Sequence, residues 1–166
     1  MVSPLLRMVL IILLAQNAQA LTSDHEQTMH FSANSADINQ TTHHGIYIGA
    51  VELDQGSTHI RAAYAETDTN QQNQLIKAII KGDKETQAHY WTSTTLDKPP
   101  IHAYADVIYY FPTQHLITLI GNARVLQGRD SFAAAEIRYD TLDQHVISNS
   151  KGPSRTSIII HPGKPS

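Results

Sequence analysis

Ten histidines and four well-spaced aspartates are the residues of this 166-residue chain whose types suit chemistry. His25-Glu26 followed by His30 imitates a zinc-protease pattern, in which two histidines at i and i+4 on a helix face hold the metal and the glutamate acts as base. Here the second histidine stands at i+5, in a segment without helical periodicity. The other histidines are scattered; only His43-His44 are adjacent, beside Gly45 in an expected turn. Neighbours on a strand point to opposite faces, so that pair would not chelate one ion. Asp54, Asp68, Asp106 and Asp140 are candidates for a glycosidase-like carboxylate pair, but Asp68 and Asp140 precede expected turns, where aspartate serves local hydrogen bonds. No G-x-S-x-G elbow, phosphate-cradling glycine loop or cysteine nucleophile is present. Asn39-Gln40-Thr41 fits a glycosylation sequon, which matters only in a eukaryotic secretory pathway. The residues therefore predict no catalysis, no metal and no cofactor.

The elements that would position any site are duplicated. Gly49-Ala50-Val51-Glu52-Leu53-Asp54-Gln55-Gly56 aligns with Gly121-Asn122-Ala123-Arg124-Val125-Leu126-Gln127-Gly128, each residue 72 positions on. The same offset sets His30 over His102, Ala62-Ala63 over Ala134-Ala135, and Asp68-Thr69 over Asp140-Thr141. Such a repeat describes one supersecondary unit stacked on its copy. Hydrophobic alternation has period two, the strand signal. Tyr47, Gly49, Val51 and Leu53 share one face; Ile117, Leu119, Gly121, Ala123 and Val125 repeat it. Ile48 and Ile120 break the polar face at matching places, which predicts a bulge or a second apolar contact there. Further strands are expected over Met29 to Ile38, Thr58 to Glu66, Gln74 to Lys81, Thr86 to Trp91, Tyr104 to Phe111 and Asp130 to Asp140, with a last one near Ser157 to His161. No stretch carries capped helix periodicity, so the fold is expected to be all-β, a two-sheet sandwich or an open roll.

The ends bound the compartment. Met1 to Ala20 has a single charge at Arg7, an apolar run from Met8 to Ala15 and a small-x-small site at Ala18-Gln19-Ala20. This is the layout of a cleaved signal peptide, and the run falls short of the ~20 residues a spanning helix needs. An exported chain without cysteine relies on burial and strand pairing rather than disulfides. Without Arg7 the 12 basic residues become 11 against 15 acidic ones, a balance that speaks against nucleic acid.

Phe31, Tyr47, Tyr64, Tyr90, Trp91, Tyr109 and Tyr110 fall on expected strands, among many alanines that would leave inward space for an apolar guest. The order of motifs resembles the OstA-like family of periplasmic lipopolysaccharide-transport proteins. The opening strand Met29-His30-Phe31-Ser32-Ala33 through Ile38, the Gly49 to Gly56 segment, Ile60-Arg61-Ala62, and Gly121-Asn122-Ala123 after the aromatic Tyr109-Tyr110 carry the likeness, which spans Met29 to about Ser148. Ala50 departs from it, standing where asparagine is usual, and so does Ala63, where an acid often follows.

The resemblance implies a twisted, V-shaped open β-roll, or jelly-roll, of about sixteen antiparallel strands. It implies a cleaved signal peptide over residues 1–20, a lipopolysaccharide-binding domain over 21–150 and a flexible tail over 151–166. Lipid A acyl chains are expected against Met29, Phe31, Tyr47, Val51, Leu53, Ile60, Trp91, Tyr110, Leu119 and Val125. Partners would be an LptC-like inner-membrane protein, an LptD-like outer-membrane protein and further copies of the chain, all through edge strands. The free edges are expected at Met29 to Ile38 and near Ile137 to Ile147. An anchored LptC-like protein and a secreted carbohydrate-binding β-sandwich are the competing readings.

Overall fold

The computed structural model describes residues 26–93, 98–143, 145–150 and 155–162. The expected leader, Met1 to Ala20, lies outside them, as does His25. Among the described residues twelve antiparallel strands follow one another: β1 (Met29–Ser32), β2 (Ser35–Asn39), β3 (His44–Gln55), β4 (Thr58–Thr69), β5 (Leu75–Lys81), β6 (Ala88–Thr92), β7 (Ile101–Ala105), β8 (Val107–Phe111), β9 (Leu116–Gln127), β10 (Asp130–Asp140), β11 (His145–Asn149) and β12 (Ser157–Ile159). The described residues are all-β, with a short 3₁₀ turn at Pro112–Gln114.

Twelve strands replace the sixteen expected, and the reason lies in the four long ones. β3, β4, β9 and β10 run for 11 or 12 residues, and each is flanked end to end by two short strands. β1 and β2 share β3, β5 and β6 share β4, β7 and β8 share β9, and β11 and β12 share β10. Segments that would count separately in two layers are thus continuous chain. The expected strands Met29 to Ile38 and Tyr104 to Phe111 are, conversely, each broken in two. At the breaks the amide of Asn34 donates to the carbonyl of Gly49 (2.8 Å), and that of Asp106 to Gly121 (3.0 Å).

Those acceptors sit in bulges. Between the pairs Ile48↔Tyr64 and Val51↔Ala62, β3 spends two residues where β4 spends one. The second unit repeats this between Ile120↔Glu136 and Ala123↔Ala134. Gly49-Ala50 and Gly121-Asn122 all have positive φ, between 47° and 80°. The expected bulge is present; the alternative of a second apolar contact is not, since Ile48 and Ile120 are exposed. Gly56 and Gly128 also have positive φ and open two-residue loops onto β4 and β10, the arrangement of II′ hairpins.

The bulges divide the ladder into two layers. One runs β1-β3-β4-β6-β7-β9-β10-β12 and the other β2-β3-β4-β5-β8-β9-β10-β11, the four long strands serving both. A single core lies between them: Tyr90 of the first layer meets Tyr110 of the second at 5.5 Å between ring centroids. Among the described residues, β1 and β2 form one free edge, and β11 and β12 the other. Ile137 belongs to neither, because β11 covers its strand and the residue is fully buried. β12 carries the sheet past residue 150, where the domain was expected to end.

The bulge sets a stability test. A Cβ on Gly121 would press on the Asp106 carboxylate and lie 2.9 Å from its Cβ, at a φ of +80°. Gly121→Ala should lose about 1–3 kcal/mol in urea unfolding. Ala50→Asn should gain up to about 1 kcal/mol, because asparagine tolerates the left-handed region that Ala50 occupies under strain.

Candidate functional site

The inward face is where the expected lipid contacts converge. Tyr47, Val51, Leu53, Ile60, Tyr110 and Leu119 are buried in the core, and Met29, Phe31 and Val125 pack on its border. Nine of the ten candidates thus lie together. Phe31 of β1 stacks on Tyr47 of β3 with centroids 4.5 Å apart and planes within 7°. A cavity of about 270 Å³ opens beside this pair at the first free edge, lined by Met29, Phe31, Ile38 and Tyr47 and rimmed by His43, His44 and Thr67.

Trp91 is the exception. β6 buries Ala88 and Tyr90, so Trp91 falls on the opposite face, stacked on His59 (4.9 Å) and His89 (4.6 Å). Tyr90, paired with Ile60 and Ala103, takes the inward place. A Tyr-Trp neighbour pair puts one ring in and one out, and the phase of a five-residue strand is not written in its composition.

Three inward alanines sit opposite core tyrosines. Tyr47 pairs with Ala65, Tyr110 with Ala78 and Tyr90 with Ala103, so each small side chain makes room for a core tyrosine. At these three places the space beside the alanine is filled by the protein's own ring. Grooves run instead along the bulges. One of about 620 Å³ lies by Gly49, Ala50, Ala62, Ala63 and His89, and its counterpart of about 410 Å³ lies by Asn122, Ala134 and Ala135.

The outward face carries charge in compact networks. Asp54 receives His59 (2.6 Å) and Arg61 (3.1 Å), and Arg61 reaches Glu52 (3.2 Å). Burial pulls the Asp54 carboxyl upward, but hydrogen bonds from His59 and Arg61 outweigh it and hold the group below its ordinary value. Asp68 is held down first by its bond to His44 (2.8 Å), with help from Lys77. Asp68 was expected to cap a turn; only its repeat partner Asp140 does so, accepting from the amides of Leu142 and Asp143. His43 has a φ of 55°, and its carbonyl accepts from the amide of Thr69.

Sequence spacing missed one cluster. The sheet gathers His59, Trp91, His89 and Tyr104 into a continuous outward stack, with Arg61 over Trp91 and Arg124 over Tyr104. His102 joins it through a 3.0 Å contact with His89. These residues come from β4, β6, β7 and β9, and only strand register reveals them as neighbours.

Three comparisons place this architecture. Residues 30–145 match the family described as LptA/(LptD N-terminal domain) LPS transport protein. The lipopolysaccharide export system protein LptH of Pseudomonas aeruginosa is 32% identical over 156 residues, spanning 89% of this chain and 86% of that protein. The crystal structure of LptH, described as the LptA-homologous periplasmic component of the lipopolysaccharide transport device of that organism, superposes with a TM-score of 0.75 at 28% identity. That match covers 84% of this chain and 99% of the other.

The outward cluster gives a pH test. Burial, then the neighbouring His102 and Arg61, lower the pKa of His89 to about 4 from an ordinary 6.5. The unfolded chain then binds more protons than the folded one between those values, so this group's contribution is full above pH 6.5 and is lost as pH falls toward 4. His89→Phe keeps the stack and removes the titration; urea midpoints measured from pH 7 to 4 should fall less steeply in that variant than in the parent.

Proposed function

The chain belongs to the LptA/LptD N-terminal-domain family of lipopolysaccharide-transport proteins, and from that premise we propose how it handles its cargo. It is a periplasmic component of lipopolysaccharide transport. The acyl chains bind between the two layers, against the inward apolar faces. The observation that carries this reading is the continuity of the inner face, from the Phe31–Tyr47 stack at the open end to the Tyr90–Tyr110 contact. The backbone ties the layers together at the bulges, and inside they face each other through side chains. Cargo entry exchanges tyrosine–alanine packing for acyl-chain packing as the layers part into a V-shaped, open roll.

Magnitudes favour a carrier over a trap. A ~12-carbon acyl chain gains roughly 9 kcal/mol gross at ~0.8 kcal/mol per methylene. Displacing buried rings forfeits packing of comparable kind, at about 3–5 kcal/mol for each aromatic side chain that loses its site. The net gain is small enough for cargo to leave. The chain serves as a conduit rather than an enzyme, and direction comes from a partner. Its free edges join an LptC-like protein at the inner membrane, an LptD-like protein at the outer membrane, and copies of itself, extending each sheet by backbone hydrogen bonds.

Photoreactive phenylalanine analogues at Phe31, Tyr47 and Tyr110 should form lipopolysaccharide adducts in whole cells, whereas the same group at Trp91 should form far fewer. Equal labelling at Trp91, or none at the three inward sites, would refute binding between the layers. The leader is cleaved after Ala20, so intact-mass measurement should find Leu21 at the N-terminus; retention of Met1 to Ala20 on membrane-bound protein would favour the anchored reading.

A further inference from the structure

The twelve strands are two six-stranded copies, and the seam between the copies specifies how one molecule meets the next. The first four strands repeat at 72 residues in identical register: Phe31↔Leu53 becomes Ala103↔Val125, and Ala36↔Tyr47 becomes Ile108↔Leu119. The last two repeat at 68. Ile80↔Ala65 becomes Ser148↔Ile137, and Tyr90↔Ile60 becomes Ile158↔Phe132. Inside the molecule, β5 and β6 of the first copy are zipped antiparallel to β8 and β7 of the second. Their counterparts, β11 with β12 and β2 with β1, are the two free edges.

We propose that copies of this chain join head to tail in the register of the internal seam, so that Val146, Ile147, Ser148 and Asn149 of one molecule pair with Ile38, Asp37, Ala36 and Ser35 of the next. On the other layer Ser157 and Ile158 pair with Ser32 and Phe31. This rests on the end-to-end reading above and adds the register, which is read from the internal seam: Ala78↔Tyr110 and Tyr90↔Ala103 are the templates for Val146↔Ile38 and Ile158↔Phe31.

Exposure supports the mapping. Ile38 is 59% exposed where its counterpart Tyr110 is 7% exposed, and Ile158 is 56% exposed where Tyr90 is 3% exposed. Ile38 and Ile158 are thus bare at the edges where their counterparts are buried in the seam. Volumes complement as well: large Tyr90 faces small Ala103 in the seam, while smaller Ile158 would face larger Phe31 in the joint. Edge strands are usually guarded by lysine, proline or inward charge. β1, β2, β11 and β12 contain no lysine or proline, and Asp37 is their one carboxylate. An edge so bare suits pairing, and a heterologous joint of this kind repeats without closing.

The chain has no cysteine, so disulfides can read the register directly. The double variants Ser35→Cys/Asn149→Cys and Ser32→Cys/Ser157→Cys should each form a ladder of linked multimers under mild oxidation. Ser35→Cys/Ile147→Cys, displaced by two residues on the same face, should not. The cysteines of one molecule lie on opposite free edges, so each link reports a neighbour. Ladders from the displaced pair instead would overturn the register and leave end-to-end assembly standing. No ladder from any pair, with light scattering that shows no growth with concentration, would remove the assembly reading as well. Growth without ladders would place the contact elsewhere and overturn the joint.

Discussion

Two consecutive residues held in the left-handed region, once in each copy, are the constraint on which this fold depends. Gly49-Ala50 and Gly121-Asn122 insert one residue too many into β3 and β9, and the amides of Asn34 and Asp106 pin the excess by bonding the glycine carbonyls. An uninterrupted 12-residue strand would hold one layer. With the bulge it re-aims midway and serves two, and each flanking strand must break at the same level. The layers, the enclosed core and the paired short strands all follow. The glycine is also crowded: a Cβ on Gly49, at a φ of +76°, would lie 2.6 Å from the side-chain Nδ2 of Asn34 and 3.2 Å from its Cβ.

The repeat was legible in the sequence, and with it strand content, hairpin positions and the bulge. The layer count was not, because alternation gives the face of a residue but not where a strand passes from one sheet to another. β4 shows the difficulty. Period two puts Ile60, Ala62 and Tyr64 on one face, yet the extra residue opposite Ala63 shifts the inward set to Ala65 and Thr67. Tyr64 then points outward, donating to Glu66 (2.6 Å) beneath Lys81. Trp91 was misplaced for a related reason: five residues of β6 contain two adjacent aromatics, and only cross-strand partners distinguish them. The outward histidine stack required the full register of four strands.

If cargo binds between the layers as proposed, tyrosine opposite alanine is the packing device that reconciles a closed core with a carrier. A core of uniform leucine and isoleucine would fill space symmetrically and leave no single side chain whose movement opens room. Here each bulky ring sits on a residue that presents only a methyl group, so rotating one ring vacates a large volume at once. Each ring also carries a hydroxyl; a ring displaced toward a margin takes that polar tip to water, which lowers the cost of exchange relative to phenylalanine. Phe31 at the open end lacks that tip and is already partly uncovered, which suits the first contact for an incoming apolar chain.

The two faces of the sheet divide the work. Outward, carboxylates are tied to histidine, arginine or lysine, and aromatic rings stack across four strands, so the exterior ladder is held by many modest interactions independent of what fills the interior. Inward, almost every contact is apolar and therefore exchangeable. Under the proposed binding between the layers, a chain built this way would keep its backbone register while its core contents change, because the bulge bonds and the outer stack lie apart from the inner face. The same separation would serve the proposed joint: register would be carried by backbone and outer face, and the inner faces would need only compatible volumes to make the apolar path continuous.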